Sequence, residues 1–400
     1  MNKKWNDRKV LHVHGSKRFL SPDGEIYGYD KDILISFKDR YLYLGAHVQF
    51  VQYGIPASKQ KIAELINLKA NGVEVIPVKY YLTPRTYKNR KETKKIIDEA
   101  VRQCDILVVK MPSLAAYMAQ QAAIKYRKPY IVEVMGCAWD TFWHYSKLTK
   151  FLAPFSFFRL KKNVAIAKYV IYVSSLFLQK RYPNSHHTCS ISNVILQEVS
   201  EKTIEKRIDL LSKEKDKYII TTLAAVDVLY KGQHFVIEAI ARLKRKGYLF
   251  EYHIAGSGDQ TRLKKMAERY DVASQVIFDG MLNADQVYEL LDKTDIYVQP
   301  SLTEGLPRAV IEAMSRGCAT IGTKVGGIPE LVGKDYIFRK GNITEIVRLL
   351  AVLIDNKELL INLSKENFEK SKKFNRAVLD SRRKEFYDKF IAENTEYIEY

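Results

Sequence analysis

Cysteine is scarce in this 400-residue chain: there are four, Cys104, Cys137, Cys189 and Cys318, with no Cys-x-x-Cys pair and no Cys/His cluster at metal spacing. That excludes a disulfide scaffold or a zinc module and leaves the expectation of reduced, buried thiols. Proline and glycine are also sparse, at 11 and 19, which argues against long irregular tracts. No run of about 18 apolar residues occurs, so no transmembrane helix is expected. The opening MNKKWNDRKVLHVHG is basic and lacks the apolar core of a secretory signal, so the expected compartment is the cytoplasm. Acidic residues are short in the first half. Residues 1–200 carry 32 Lys+Arg against 15 Asp+Glu, and the rest 33 against 31, so +17 of the net +19 lies in the first half. Such a half meets something anionic: nucleic acid, a membrane surface or a diphosphate-bearing substrate.

What is present is an alternation of β-branched runs with amphipathic stretches. Strands are expected at Val10–His14, His47–Tyr53, Val73–Tyr80, Asp105–Lys110, Tyr130–Val134 and Tyr169–Ser174. Helices are expected between them, as at Lys59–Lys69, Lys91–Gln103 and Leu114–Tyr126. A polar stretch, 199–217, separates these from a second series with strands at Tyr218–Val226, Phe250–Ala255, Gln275–Phe278, Asp295–Gln299 and Ala319–Thr323. Strands alternating with helices mean a parallel sheet covered on both faces. The expected fold class is therefore α/β, with two Rossmann-like parallel-sheet domains, a hinge near residue 200 and a closing helix from Phe374. Gly247 and Gly317 follow helix ends, where a left-handed cap is needed.

The segment SLTEGLPRAVIEAMSRG, 301–317, carries the most chemistry. A glycine-containing loop between a strand and a helix N-terminus holds phosphates on free N–H groups. Glu304 lies in that loop and Glu312 lies eight residues on, in the helix. Beside phosphates, such carboxylates suit hydroxyls or a developing cation. Lys231-Gly232 follows the first strand of the second series, where an ammonium can neutralise a diphosphate. Gly256-Ser257-Gly258 follows the next strand and can bring backbone close to a ligand, and Gly280-Met281 follows the third, where backbone can meet a nucleobase. Successive strand ends of one open sheet are where α/β folds bind ligands.

Taken together, residues 231–317 resemble the donor domain of the retaining family-4 glycosyltransferases, which have the GT-B architecture of two domains facing across a cleft; the resemblance is specific across about residues 218–335 and looser elsewhere. The matching residues are Lys231-Gly232, Gly256-Ser257-Gly258, Gly280, Glu304-Gly305-Leu306-Pro307, Glu312 and Gly326-Gly327-Ile328-Pro329-Glu330. The resemblance implies an acceptor-binding domain at 1–200, a nucleotide-sugar domain at 201–373 and a helix at 374–400 packing back on the first. It implies that Glu304 contacts the donor sugar and that amides around Gly305, Leu306 and Pro307 hold the distal phosphate, although Pro307 itself has no N–H. Glu312 would bind the ribose and Lys231 the departing diphosphate. It implies a UDP- or GDP-sugar donor, retention of configuration and no cofactor or required metal. The acceptor would be a glycan or a polyprenyl-diphosphate-linked glycan, and the setting cell-surface polysaccharide synthesis. The chain departs from the pattern at Val226, where the family places an arginine, so Arg308 or a first-domain residue would take over. Within 134–144 no histidine sits at the place the family expects in the first domain, so Asp140 or His144 would serve as acceptor-side candidates. The first glycine loop is atypical, with Gly15, Gly24 and Gly28 as possible points of phosphate approach.

Three further features complete the reading. Residues 148–160, LTKFLAPFSFFRL, place Leu148, Phe151, Leu152, Phe155 and Phe158 at helical spacing among lysines, as in a helix lying on an anionic membrane; Pro154 divides it into two pieces. The alternative there is a core helix. His12, His14 and Asp30-Lys31-Asp32 read as structural or solvated rather than metal-binding. The rival functions are a sugar-nucleotide epimerase of the same fold and a basic nucleic-acid-binding protein, but no helix-turn-helix, zinc or RNP signature accompanies the charge, and no nucleic-acid partner is expected.

Overall fold

The computed structural model describes residues 5–29, 33–145, 148–197 and 199–398. The Asp30-Lys31-Asp32 triplet lies outside the described residues, as does the side chain of His144. The first domain contains β1 (Lys9–Leu20), β2 (Ile26–Gly28), β3 (His47–Pro56), β4 (Ile66–Asn67), β5 (Glu74–Lys79), β6 (Ile106–Met111), β7 (Tyr130–Val134), β8 (Tyr169–Tyr172) and β9 (His187–Ser190). Seven of these pair in parallel, in the order β5-β3-β1-β6-β7-β8-β9. The second domain contains β10 (Tyr218–Leu223), β11 (Phe250–Ala255), β12 (Val276–Gly280), β13 (Ile296–Gln299), β14 (Ala319–Thr323) and β15 (Ile337–Phe338), all parallel, in the order β12-β11-β10-β13-β14-β15. Both orders run outward from a first strand in two directions, the doubly wound pattern with a ligand crevice at the reversal.

A parallel sheet is covered by helices on both faces, so its strands are apolar throughout. All residues of β6 and β13 are buried. That makes Lys110, in the β6 run ILVVKM, an exception that must be explained. Local signals set the helix ends. Asn283 and Gln286 form a reciprocal capping box before the helix Ala284–Lys293, and Gly247 and Gly317 take φ of +90° and +68° just past helix ends. The last long helix, Arg376–Glu393, crosses back onto the first domain. The Tyr169 hydroxyl donates to Glu393 Oε2 at 2.6 Å, and the Tyr169 and Phe390 rings meet edge-on at 4.9 Å. Leu379, Phe386, Tyr387 and Phe390 are buried there.

Two expectations are corrected. The helix at Lys59–Lys69 is one turn, Lys59–Ile62, capped by the Ser58 side chain. The chain then turns into β4, which pairs antiparallel with β2, so sheet hydrogen bonds override helix periodicity. The first glycine loop is largely strand. β1 runs on through Gly15 to Leu20, with an irregularity between Val13 and Lys17, because it keeps pairing with β3 as far as Pro56. Gly15 therefore lies in the sheet, packed against Ser113 and Tyr53, while Gly24 is in the turn after β1 and Gly28 ends β2. The four cysteines are free, three of them buried.

Candidate active site

The loops after β10, β11, β12 and β13 lie side by side at one end of the second sheet. Lys231 ends a short 3-10 turn, Leu229–Lys231, and Gly232 follows with φ +77°. A Cβ on Gly232 would fall 2.1 Å from the Pro300 carbonyl oxygen, so only glycine lets this loop lie against the one after β13. The Leu302 N–H donates to the Tyr230 carbonyl at 2.7 Å and ties the two loops. Gly256 is packed against the Ala224 carbonyl, and its N–H donates to the Gly280 carbonyl at 2.7 Å. Gly258 sits against Asp227, and Met281 is exposed beside them. The close approach at Gly256 is thus made to protein backbone.

These contacts bring Lys231 and Glu304 together across the reversal between β10 and β13. Glu304 Oε1 accepts from Lys231 Nζ at 2.7 Å, from the Ser301 hydroxyl at 2.7 Å and from Gln299 Nε2 at 3.1 Å. The pair is largely shielded, so its attraction is weakly screened. The Glu304 loop is held on both sides. Gly327 N–H donates to the Gly305 carbonyl at 2.7 Å, and a Cβ on Gly305 would sit 2.4 Å from the Met135 carbonyl oxygen of the first domain. The helix Arg308–Ser315 starts immediately after Pro307. Burial pushes the Glu312 carboxyl above the ordinary carboxylate range, opposed by Arg308 one turn earlier. Glu330 reaches the other domain, where its carboxylate accepts the N–H groups of Ser175 at 2.6 Å and Phe177 at 2.7 Å.

A cavity of about 360 Å³ separates this loop from the first sheet, bounded by Glu304, Gly305, Leu306 and Arg308 on one side. Facing them are His12 and His14 of β1, Gln52 of β3 and Lys110 of β6, none of which the sequence reading had assigned to a site. The only local signal was a lone lysine inside an otherwise apolar strand. Of the acceptor-side candidates, Asp140 is ion-paired with Arg181 at 3.5 Å on the helix Ala138–Tyr145 and does not line this cavity; His144 lies on the same helix. Val226, in place of the family's arginine, is buried in the second core, whereas Arg308 borders the cleft.

The family model for glycosyl transferases group 1 matches residues 203–370. Protein CapJ of Staphylococcus aureus is 31% identical over 297 residues, covering 72% of this chain and 73% of that one. This chain belongs to the glycosyl transferases group 1 family. It is a glycosyltransferase with the GT-B architecture. The amylovoran biosynthesis glycosyltransferase AmsK of Erwinia amylovora is 38% identical over 109 residues, 26% of this chain and 27% of that one. The fold extends over the whole chain. HepE of Anabaena, solved in complex with UDP and glucose, superposes with a TM-score of 0.67 at 17% identity, covering 97% of this chain and 99% of that one. In this group 1 enzyme the loops carrying Lys231 and Gly305, and the helix Arg308–Ser315 that carries Glu312, follow strand ends on the same side of the second sheet.

Proposed function

We propose that this enzyme transfers a sugar from a nucleotide diphosphate, UDP in the first instance, to a glycan or polyprenyl-diphosphate-linked acceptor, with retention of configuration, in cell-surface polysaccharide synthesis. The observation that carries this is the Lys231–Glu304 pair at the reversal of the second sheet, beside a helix N-terminus, with Glu304 lining the interdomain cavity. The ammonium and the loop amides suit a departing diphosphate; Glu304 suits the hydroxyls of its sugar. The UDP and glucose bound to HepE and the amylovoran role of AmsK support the donor class and the pathway class. Lys231 supplies a cation where the leaving group departs, so the reaction needs no cofactor and no divalent ion. Incubation with a panel of UDP- and GDP-sugars and a lipid-diphosphate-linked acceptor tests the reading. Glycosylated acceptor is expected; isomerised donor without transfer would favour the epimerase reading.

A peripheral membrane contact is part of the proposal. Phe151, Leu152, Phe155 and Phe158 are 85%, 50%, 65% and 64% exposed, flanked by exposed Lys150, Lys161 and Lys162. The stretch forms two pieces, a 3-10 turn Leu148–Leu152 and a helix Ala153–Ala165 that buries Ala153, Leu160 and Val164 on its inner face. An apolar ridge ringed by lysines suits an anionic lipid surface, each cation adding about 1 kcal/mol. No helix among the described residues is long and apolar enough to cross a membrane.

A further inference from the structure

We propose that the first-domain wall of the cleft is a binding site for an anionic group on the sugar substrate, a carboxylate or a phosphate, held by Lys110, Gln52 and His12 and closed from the other domain by Arg308. The inference deepens the transferase reading by naming a substrate class, and it rests on that reading only for what lies beside the site. The residues come from three strands, β1, β3 and β6, and all line the 360 Å³ cavity that also borders Glu304.

Two of them lack partners among the described residues. His12 and Gln52 are each 1% exposed, yet no described residue hydrogen-bonds either imidazole nitrogen or either amide atom. Buried polar side chains are almost always partnered, and side chains facing a cavity with none are set for a ligand. Tyr41 and Phe50 pack their rings on His12 at 5.0 and 5.2 Å and fix its orientation.

Lys110 decides the sign of the ligand. It is 4% exposed, and its ammonium lies 3.7 Å from the centre of the Phe37 ring. Among the described residues its carboxylate partner is Glu133, an ion pair at 4.0 Å, beyond hydrogen-bond reach, and both Glu133 oxygens accept from the Tyr41 hydroxyl at 3.1 Å. Burial draws the lysine down to about 8; the Glu133 carboxylate opposes this, and the positive fields of Arg40, Arg308 and Arg383 add to it. A neutral sugar could satisfy Gln52 and His12 through its hydroxyls, but it would leave the buried ammonium with only the Glu133 carboxylate at 4.0 Å and the face of Phe37, and no hydrogen-bonded anion. An anionic sugar answers all three: its anion compensates the ammonium and accepts from Gln52 Nε2 and the His12 N–H, its hydroxyls donate to Gln52 Oε1 and the other ring nitrogen, and Arg308 adds a second charge across the cleft.

The anion has two sources, an acidic donor sugar or an acidic acceptor. Calorimetry on the full-length enzyme separates them. The donor arm compares UDP-glucuronate with UDP-glucose. The acceptor arm compares p-nitrophenyl glucuronide with p-nitrophenyl glucoside, and farnesyl diphosphate with farnesol, each with and without UDP. One charged member is expected to bind at least tenfold more tightly than its neutral partner. Gln52→Leu, an apolar near-isostere, and Arg308→Ala, a surface truncation, should each erase most of that preference. Lys110→Met should abolish it if circular dichroism shows that the variant folds; the other two variants decide the matter if it does not. Equal affinity for every charged and neutral pair, or an undiminished preference in Gln52→Leu and Arg308→Ala, overturns the site. If neither UDP nor GDP binds, the donor assignment fails instead, and the acceptor arm without nucleotide still decides the anion site.

Discussion

Lys231 Nζ and Glu304 Oε1 lie 2.7 Å apart, so the two side chains assigned to opposite ends of the breaking bond are hydrogen-bonded to each other. A donor diphosphate must share or displace that bond. Lys231→Ala should therefore weaken UDP binding and lower kcat/KM by about 2–4 kcal/mol of transition-state stabilisation. Glu304→Gln keeps the shape and most of the contacts to Ser301 and Gln299; it should lower turnover far more than nucleotide affinity. Because the groups touch, Lys231→Ala combined with Glu304→Gln should cost less than the two separate losses added together. Wild-type UDP and GDP binding in Lys231→Ala would remove Lys231 from the donor site.

Glu312 sets stability against binding. Its carboxyl is raised by burial, so the folded chain holds that proton more tightly than the unfolded chain does. Its contribution is favourable below the ordinary carboxylate range and is lost as pH rises through the raised folded value. Glu312→Gln stays neutral throughout. Its melting temperature should match wild type near pH 4 and exceed it at pH 7, while UDP affinity falls at both. A variant that melts below wild type at pH 7 would contradict this account.

Glu330 ties the domains. Its carboxylate accepts two N–H groups of the first domain, and truncation should release an interdomain contact worth about 1–3 kcal/mol. Glu330→Ala should enlarge the radius of gyration in solution scattering and lower kcat, with the UDP dissociation constant nearly unchanged, because the donor loops lie wholly in the second domain. An unchanged scattering profile would show that other contacts suffice to hold the domains.

The second domain was legible because its signals are local. Lys231-Gly232, Glu304-Gly305 and Glu312 each sit within a few residues of a strand end or helix start, and strand order alone then brings them together. The cleft's other wall was not legible. His12, Gln52 and Lys110 come from three strands far apart in sequence, and each is embedded in apolar residues that report only burial. The β1 extension through Gly15 was missed for a related reason: it exists because β3 runs alongside, which no local propensity encodes.

The exposed phenylalanines predict sedimentation with anionic vesicles. Phe155→Glu with Phe158→Glu should abolish it without loss of fold, since both side chains lie outside the core, and salt should release the wild-type protein. Equal sedimentation with neutral and anionic vesicles, or none, would reject the contact.

The proposed retention of configuration rests on where the charges sit. As the diphosphate departs, the anomeric carbon gains positive character, and the leaving oxygens gain negative charge facing Lys231 and the start of the helix Arg308–Ser315. Inversion needs a general base on the face opposite the leaving group. Glu304 is poorly placed to supply it, because its carboxylate is held beside Lys231 by Ser301 and Gln299 on the loop that faces the leaving group. Asp140, bound up with Arg181, does not line the cavity, and burial holds the His12 and His14 imidazoles on the facing wall well below the ordinary histidine range, which makes them weak bases. The acceptor hydroxyl is then expected to enter on the leaving group's own face. Its oxygen bonds to the anomeric carbon as the carbon–phosphate oxygen bond breaks, and its proton passes to that departing oxygen. NMR of the first product should show the donor's own anomer, formed at full rate in buffer containing EDTA. An inverted product, or activity lost to EDTA and restored by magnesium or manganese, would refute this mechanism.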